Sequence, residues 1–109
     1  MSSSINNQNN FPQKQDPLTG VFDRKTMIEK FNSTLKKTKL SGGSVFCFVV
    51  KLYGIKSINQ YASYDVGDAL IIEAVRILNL TISKESIIGR ITGNKFGILS
   101  WTVEYILYL

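Results

Sequence analysis

The 109-residue chain contains no histidine, one cysteine and two prolines. Without histidine it lacks the commonest general base and the commonest zinc ligand, so a hydrolase triad or a zinc centre would have to be built from other groups. A lone cysteine, Cys47, excludes an intrachain disulfide. Inside an apolar run, it is expected to serve as a small buried hydrophobe. The longest such run, Val45 to Val50, is far too short to span a bilayer. The first fifteen residues lack the basic start and apolar centre of a secretory signal, which makes the cytoplasm the expected compartment.

What is present fits one soluble domain with a modest core: 44% of residues are hydrophobic and 19% charged. The net charge of +5 is unevenly spread. Residues 21–40 hold Arg24, Lys25, Lys30, Lys36, Lys37 and Lys39 against Asp23 and Glu29, while residues 41–109 are close to neutral. Such a basic element could bind nucleic acid or an anionic membrane surface. The element has apolar residues available for the core, so a solvated helix face is the preferred reading and nucleic acid is not the expected partner.

Residues 1–15 read as a disordered polar tail. Asp16-Pro17-Leu18-Thr19-Gly20 reads as a turn. Met27, Ile28, Phe31 and Leu35 recur at helical spacing from Asp23 to Lys39, and Ser41-Gly42-Gly43-Ser44 ends that helix. Val45–Val50 is apolar without alternation, the pattern of a central strand covered on both faces. A short helix is expected after Gly54 and a longer one from about Asp65. Its stripe is Leu70, Ile71, Ala74, Val75, Leu78 and Ile82, and Asp65 and Asp68 have N-terminal capping character. Strands over 86–92 and 95–101 then meet across Gly93-Asn94, a tight hairpin in which both residues tolerate positive φ. The expected class is α+β, an antiparallel sheet flanked by helices.

Four segments, in order and spacing, resemble the GGDEF domain of diguanylate cyclases. Asp16 to Arg24 is similar to the family's opening D-x-LTG-L-x-N-R, and Lys51 to Gln60 to its D-x-D-x-F-K-x-I-N-D. Tyr61 to Asp68 is similar to Y-G-H-x-x-GD, and Thr92-Gly93-Asn94-Lys95-Phe96 stands where the family carries Gly-Gly-Asp/Glu-Glu-Phe. The resemblance implies a nucleotidyl cyclase-like, ferredoxin-like palm over residues 16–101, incomplete at its C-terminal end. Residues 102–109 are then an apolar tail, expected to cover a sheet edge or to pack at an interface.

In active members two GTP molecules, one on each protomer, become cyclic di-GMP with metal ions held by acids. The resemblance places Lys51, Tyr53, Asn94 and Lys95 at acidic positions, so magnesium binding and catalysis are expected to be lost. It places Asn59 and Asp68 where the family contacts guanine; the turn Gly54-Ile55-Lys56 could still offer backbone amides to phosphate, and Lys51 and Lys95 could neutralise phosphate in place of metal. Local readings compete: Asp68 as a helix acid, Asn59 as a turn residue, the lysines as solvated. Ser83 and Ser86 replace the family's inhibitory R-x-x-D, so product inhibition there is expected to be absent. The function this implies is a catalytically inactive module of cyclic di-GMP-type signalling. It would sense GTP or cyclic di-GMP, or bind another signalling protein or a second copy of itself. A weakly active cyclase is the alternative.

Overall fold

The computed structural model describes residues 14–102. In order, the elements are α1 (Arg24–Ser41), β1 (Val45–Lys51), α2 (Ile55–Tyr61), α3 (Tyr64–Thr81), β2 (Ile87–Thr92) and β3 (Lys95–Trp101). The three strands form one antiparallel sheet in the order β1-β3-β2, so the last strand is central. No helix among the described residues is long and apolar enough to cross a membrane.

The elements start and stop for local reasons. Asp23 caps α1 by accepting from the Thr26 amide at 2.9 Å, and Gly42 closes it in the left-handed region at φ 83°. The cap of α3 is Ser63, which accepts from the Val66 amide at 3.3 Å, not Asp65 or Asp68. Ser63 is extended immediately before the helix, the backbone a cap requires; Asp65 already lies in the first turn. Gly54 turns the chain from β1 into α2 at φ 90°.

The sheet has two different faces. On one, α3 presses Ile71 and Val75 onto Ile88, Phe96 and Ile98, with Val21 completing the core. On the other, α1 lays Met27 over Gly89 and Gly97. A Cβ at Gly89 would lie 2.6 Å from the Met27 Cβ, so the glycine sets how closely α1 approaches. Only Met27 of the apolar α1 residues is buried; Ile28 and Leu35 are half exposed.

Three expectations are corrected. Among the described residues the unbroken apolar run forms an edge strand, not a central one, and Phe46 to Val49 are exposed. Cys47 is accordingly exposed. Its neighbours are hydrophobic along the chain, but among the described residues no layer covers β1 from both sides. The hairpin does not use a left-handed Gly93: the positive-φ glycines of the described residues are Gly20, Gly42 and Gly54. Instead Arg90 pairs with Phe96 and Thr92 with Lys95, leaving Ile91 as an extra residue that bends the strand into the turn.

The polar tail is shorter than expected where it can be described. Lys14 and Gln15 are tied down: the Lys14 amide donates to the Thr26 hydroxyl at 3.1 Å, and Gln15 forms a β-bridge with Phe22. Thr102, assigned to the apolar tail, still belongs to the sheet, since its amide donates to the Ser44 carbonyl at 2.8 Å. The rest of both tails lies outside the described residues.

Candidate functional site

The turn after β1, the helix α2, the start of α3 and the hairpin converge on one cavity of about 400 Å³. Ile55, Lys56, Asn59, Gln60, Tyr64, Gly93 and Asn94 line it. The antiparallel ladder explains the convergence: β1 and β3 run side by side, so the end of β1 and the hairpin at the start of β3 are neighbours.

Asn94 ties the two together. Its backbone carbonyl accepts from the Leu52 amide at 2.8 Å, and its Nδ2 donates to the Leu52 carbonyl at 3.0 Å. The second bond needs an amide, because an ionised carboxylate has no proton to donate and would face the carbonyl oxygen. Lys51 and Lys95 stand directly opposite each other across the β1–β3 ladder. The Lys51 ammonium sits 4.8 Å from the centre of the Tyr53 ring, an exposed cation–π contact.

Asn59 is half-buried between α2 and α3. Its Oδ1 is buried without a hydrogen-bond partner among the described residues. It lies against Gly67, where any Cβ would run into that oxygen, so the glycine makes room for the amide. Asp68 is half-buried one residue further along α3 and does not line the cavity. Of the expected site residues, then, the cavity gathers Ile55, Lys56, Asn59, Gly93 and Asn94. Lys51, Gly54, Asp68 and Lys95 lie outside its wall.

Gln60 and Tyr64 line the cavity without having been singled out, as the residue beside Asn59 and the first residue of α3. Arg90 was also missed. Its Nε and Nη2 donate to the Gly93 carbonyl at 3.2 and 2.8 Å, while Nη1 donates to both Asp16 carboxylate oxygens at 3.2 and 3.1 Å. Its guanidinium also lies 5.9 Å from the centre of the Phe96 ring. One side chain therefore pins the hairpin to the opening Asp16–Gly20 turn. Partial burial pushes the Asp16 carboxyl up, but the Thr19 hydroxyl and amide and the Arg90 guanidinium outweigh it and hold the group below the usual aspartate value. Ser83 and Ser86 form an exposed hydroxyl pair at 2.9 Å, which Ser86 extends to Ser100.

Comparison with known proteins gives the same frame. Residues 13–105 match the family description "Diguanylate cyclase, GGDEF domain". A probable diguanylate cyclase of Escherichia coli K12, DgcC, is 26% identical over 85 residues, covering 78% of this chain and 23% of the relative. Another from the same strain, DgcT, is 27% identical over 91 residues, covering 83% and 20%. Among solved structures, the GGDEF domain of DgcB from Caulobacter crescentus in complex with c-di-GMP superposes with a TM-score of 0.76 at 17% identity, over 80% of this chain and 51% of that one. The diguanylate cyclase SiaD of Pseudomonas aeruginosa, in complex with its activator SiaC, superposes with a TM-score of 0.76 at 23% identity, over 87% and 36%. The chain thus spans about a quarter or less of these curated relatives and about half or less of these structures. On the family match over most of its length, the chain belongs to the GGDEF domain family of diguanylate cyclases.

Proposed function

We propose that this chain is a GGDEF module that does not make cyclic di-GMP and serves cyclic di-GMP-type signalling as a guanine-nucleotide sensor. The observation that carries this reading is the state of the hairpin: the Asn94 amide is bonded to the Leu52 carbonyl, and the flanking ladder position holds two lysines. Magnesium takes oxygen donors, preferably carboxylates, whereas an ammonium only donates and adds positive charge. Among the described residues, no cluster of three or more His, Cys, Asp or Glu side chains could hold a metal ion. The residues present therefore do not fit a catalytic magnesium, and no phosphoryl-transfer step is drawn through one.

The base-binding half is better supported. Asn59 brings an amide to a cavity also lined by Tyr64 and Lys56. An amide can donate and accept along one edge of a purine, and the tyrosine ring and lysine offer stacking and charge to a nucleotide. Relatives in the solved structures bind c-di-GMP in one case and a protein activator in another, so both partner classes suit this module.

Calorimetry with GTP and with cyclic di-GMP tests the reading. Binding of either is expected without added magnesium and is expected to vanish in Asn59→Ala. If neither binds, the sensing role fails and protein interaction remains as the module's work. A labelled-GTP assay with magnesium or manganese at high protein concentration should give no product above the buffer control; turnover would overturn the proposal of an inactive module.

A further inference from the structure

The hairpin side of the cavity has spent its acceptors and kept its donors. The Leu52 carbonyl accepts from Asn94 Nδ2, and the Gly93 carbonyl accepts from Nε and Nη2 of Arg90. The side-chain oxygen of Asn94 accepts from the Thr92 hydroxyl at 3.4 Å. No aspartate or glutamate lines the wall, and Asp65 and Asp68 lie on α3 outside it.

The donors are a different matter. Lys56, Gln60 and Tyr64 line the cavity, and no hydrogen bond or ion pair among the described residues occupies their side chains. Lys51 and Lys95 stand one residue beyond the bond from the Leu52 amide to the Asn94 carbonyl. The antiparallel alternation makes them a non-hydrogen-bonded pair, with Cα atoms about 4.5 Å apart and both side chains on one face. Like charges placed directly opposite each other repel. Lys51 lies over the Tyr53 ring, and neither lysine pairs with an acid among the described residues.

This is the reverse of a cation site. A divalent cation needs oxygens with free lone pairs, whereas a dense anion needs donors and positive charge. A lysine ammonium meets phosphate as a point charge on a flexible stem, so three of them can converge on one chain of phosphates without a fixed geometry.

We propose that the strand-end side of the cavity takes the polyphosphate of a nucleoside triphosphate without a divalent cation, its charge met by Lys51, Lys56 and Lys95. On the reading of the cavity as a nucleotide site, on which this depends, the base lies toward Asn59 and the phosphates toward the ends of β1 and β3. The species recognised is then the free polyphosphate, not its magnesium complex. The repulsion between Lys51 and Lys95 acquires a use, because an anion between them turns it into attraction.

Isothermal titration calorimetry of the 109-residue chain with inorganic tripolyphosphate in EDTA tests this. Binding is expected, with a dissociation constant at least about tenfold higher when Lys51→Met and Lys95→Met are combined, since two charge-assisted contacts are lost. Methionine keeps the length of the stem and removes the like-charge pair, so circular dichroism should show this variant melting no lower than wild type. Lys36→Met with Lys37→Met, on the exposed side of α1, should leave the binding unchanged. Added magnesium should weaken it, because the metal neutralises the polyphosphate before the lysines can. Guanosine, which has the base and no phosphate, tests the base site separately. Tripolyphosphate binding without guanosine binding upholds the polyphosphate site and removes the guanine contact. Absence of tripolyphosphate binding overturns the proposal, whether or not guanosine binds. Binding that magnesium strengthens, or that both lysine pairs weaken alike, overturns it as well.

Discussion

The β2 edge and the β1 edge belong to one small sheet, yet they are built on opposite plans. Beside β2, the opening stretch adds directional bonds to the packing of Leu18 and Val21 on the core. Asp16, Thr19, Phe22 and Arg90 link the opening turn, the strand and the hairpin through named donors and acceptors. Beside β1, six consecutive apolar residues have no further strand among the described residues. The hydrophobic run does not mark the best-covered place in the fold. Burial follows topology: β3, with strands on both sides and helices on both faces, contains the fully buried Phe96 and Leu99.

The strongest way to break the contrast is to cut the closed edge. Arg90→Ala removes the ion pair to Asp16, whose partners are 19% and 14% exposed, together with two bonds to the Gly93 carbonyl. Removing one partner strands the other in a half-buried place, so a loss of about 2 kcal/mol is expected. For a domain of this size that lowers Tm by roughly 10 °C. Thermal denaturation followed by circular dichroism measures it, and a shift under about 2 °C would show that the closed edge is held by packing instead. Asp16→Asn should lose less, because its carbonyl can still accept from Thr19.

A second cut goes through the middle of β2. Gly89→Ala puts a methyl 2.6 Å from the Met27 Cβ and against two further Met27 side-chain atoms. The backbone must shift or α1 must lift, and overpacking of this kind costs about 1–2 kcal/mol. Urea denaturation should show a lower midpoint at unchanged slope. Met27→Ala in the same chain should recover part of the loss, since it removes the atoms the methyl meets.

How much of this was legible along the chain differs between the edges. Helix positions, the hairpin and the strand spans come from periodicity and turn residues, which act over a few neighbours. The cavity was partly legible, because Asn59, Lys56 and the hairpin lie in recognisable segments. Arg90 was not legible, because its carboxylate partner is 74 residues away and no local pattern reports it. Val45–Val50 misled for a related reason. Continuous hydrophobicity reports that a strand can be covered on both faces, not which segment supplies the cover, and the described residues supply only part of it.

A milder perturbation is pH. Asp16 has its carboxyl held below the usual aspartate value in the folded chain, so ionised Asp16 contributes stability above the unfolded value. That contribution is lost as pH falls through the folded value. Acid titration of Tm should therefore bring wild type and Arg90→Ala closer together below the usual aspartate range, and hold them apart at neutral pH. A constant gap down to strongly acidic pH would assign the Arg90 effect to its bonds with Gly93, which do not titrate.

The smallest effect is expected where hydrophobicity is greatest. Val49 is 64% exposed, its side chain lies at the rim of an open groove, and its backbone groups point away from β3. Replacing it with lysine removes little buried surface, and the ammonium can reach water at the edge. Val49→Lys should stay within about 0.5 kcal/mol of wild type. A larger loss would mean that Val49 is covered within the single chain, and the two edges would no longer differ in kind. A negligible loss would show that the apolar run on β1 adds little to the described fold beyond its ladder with β3. The turn beside β2, with its bonds from Asp16 and Arg90, would then be the part that holds the described sheet together.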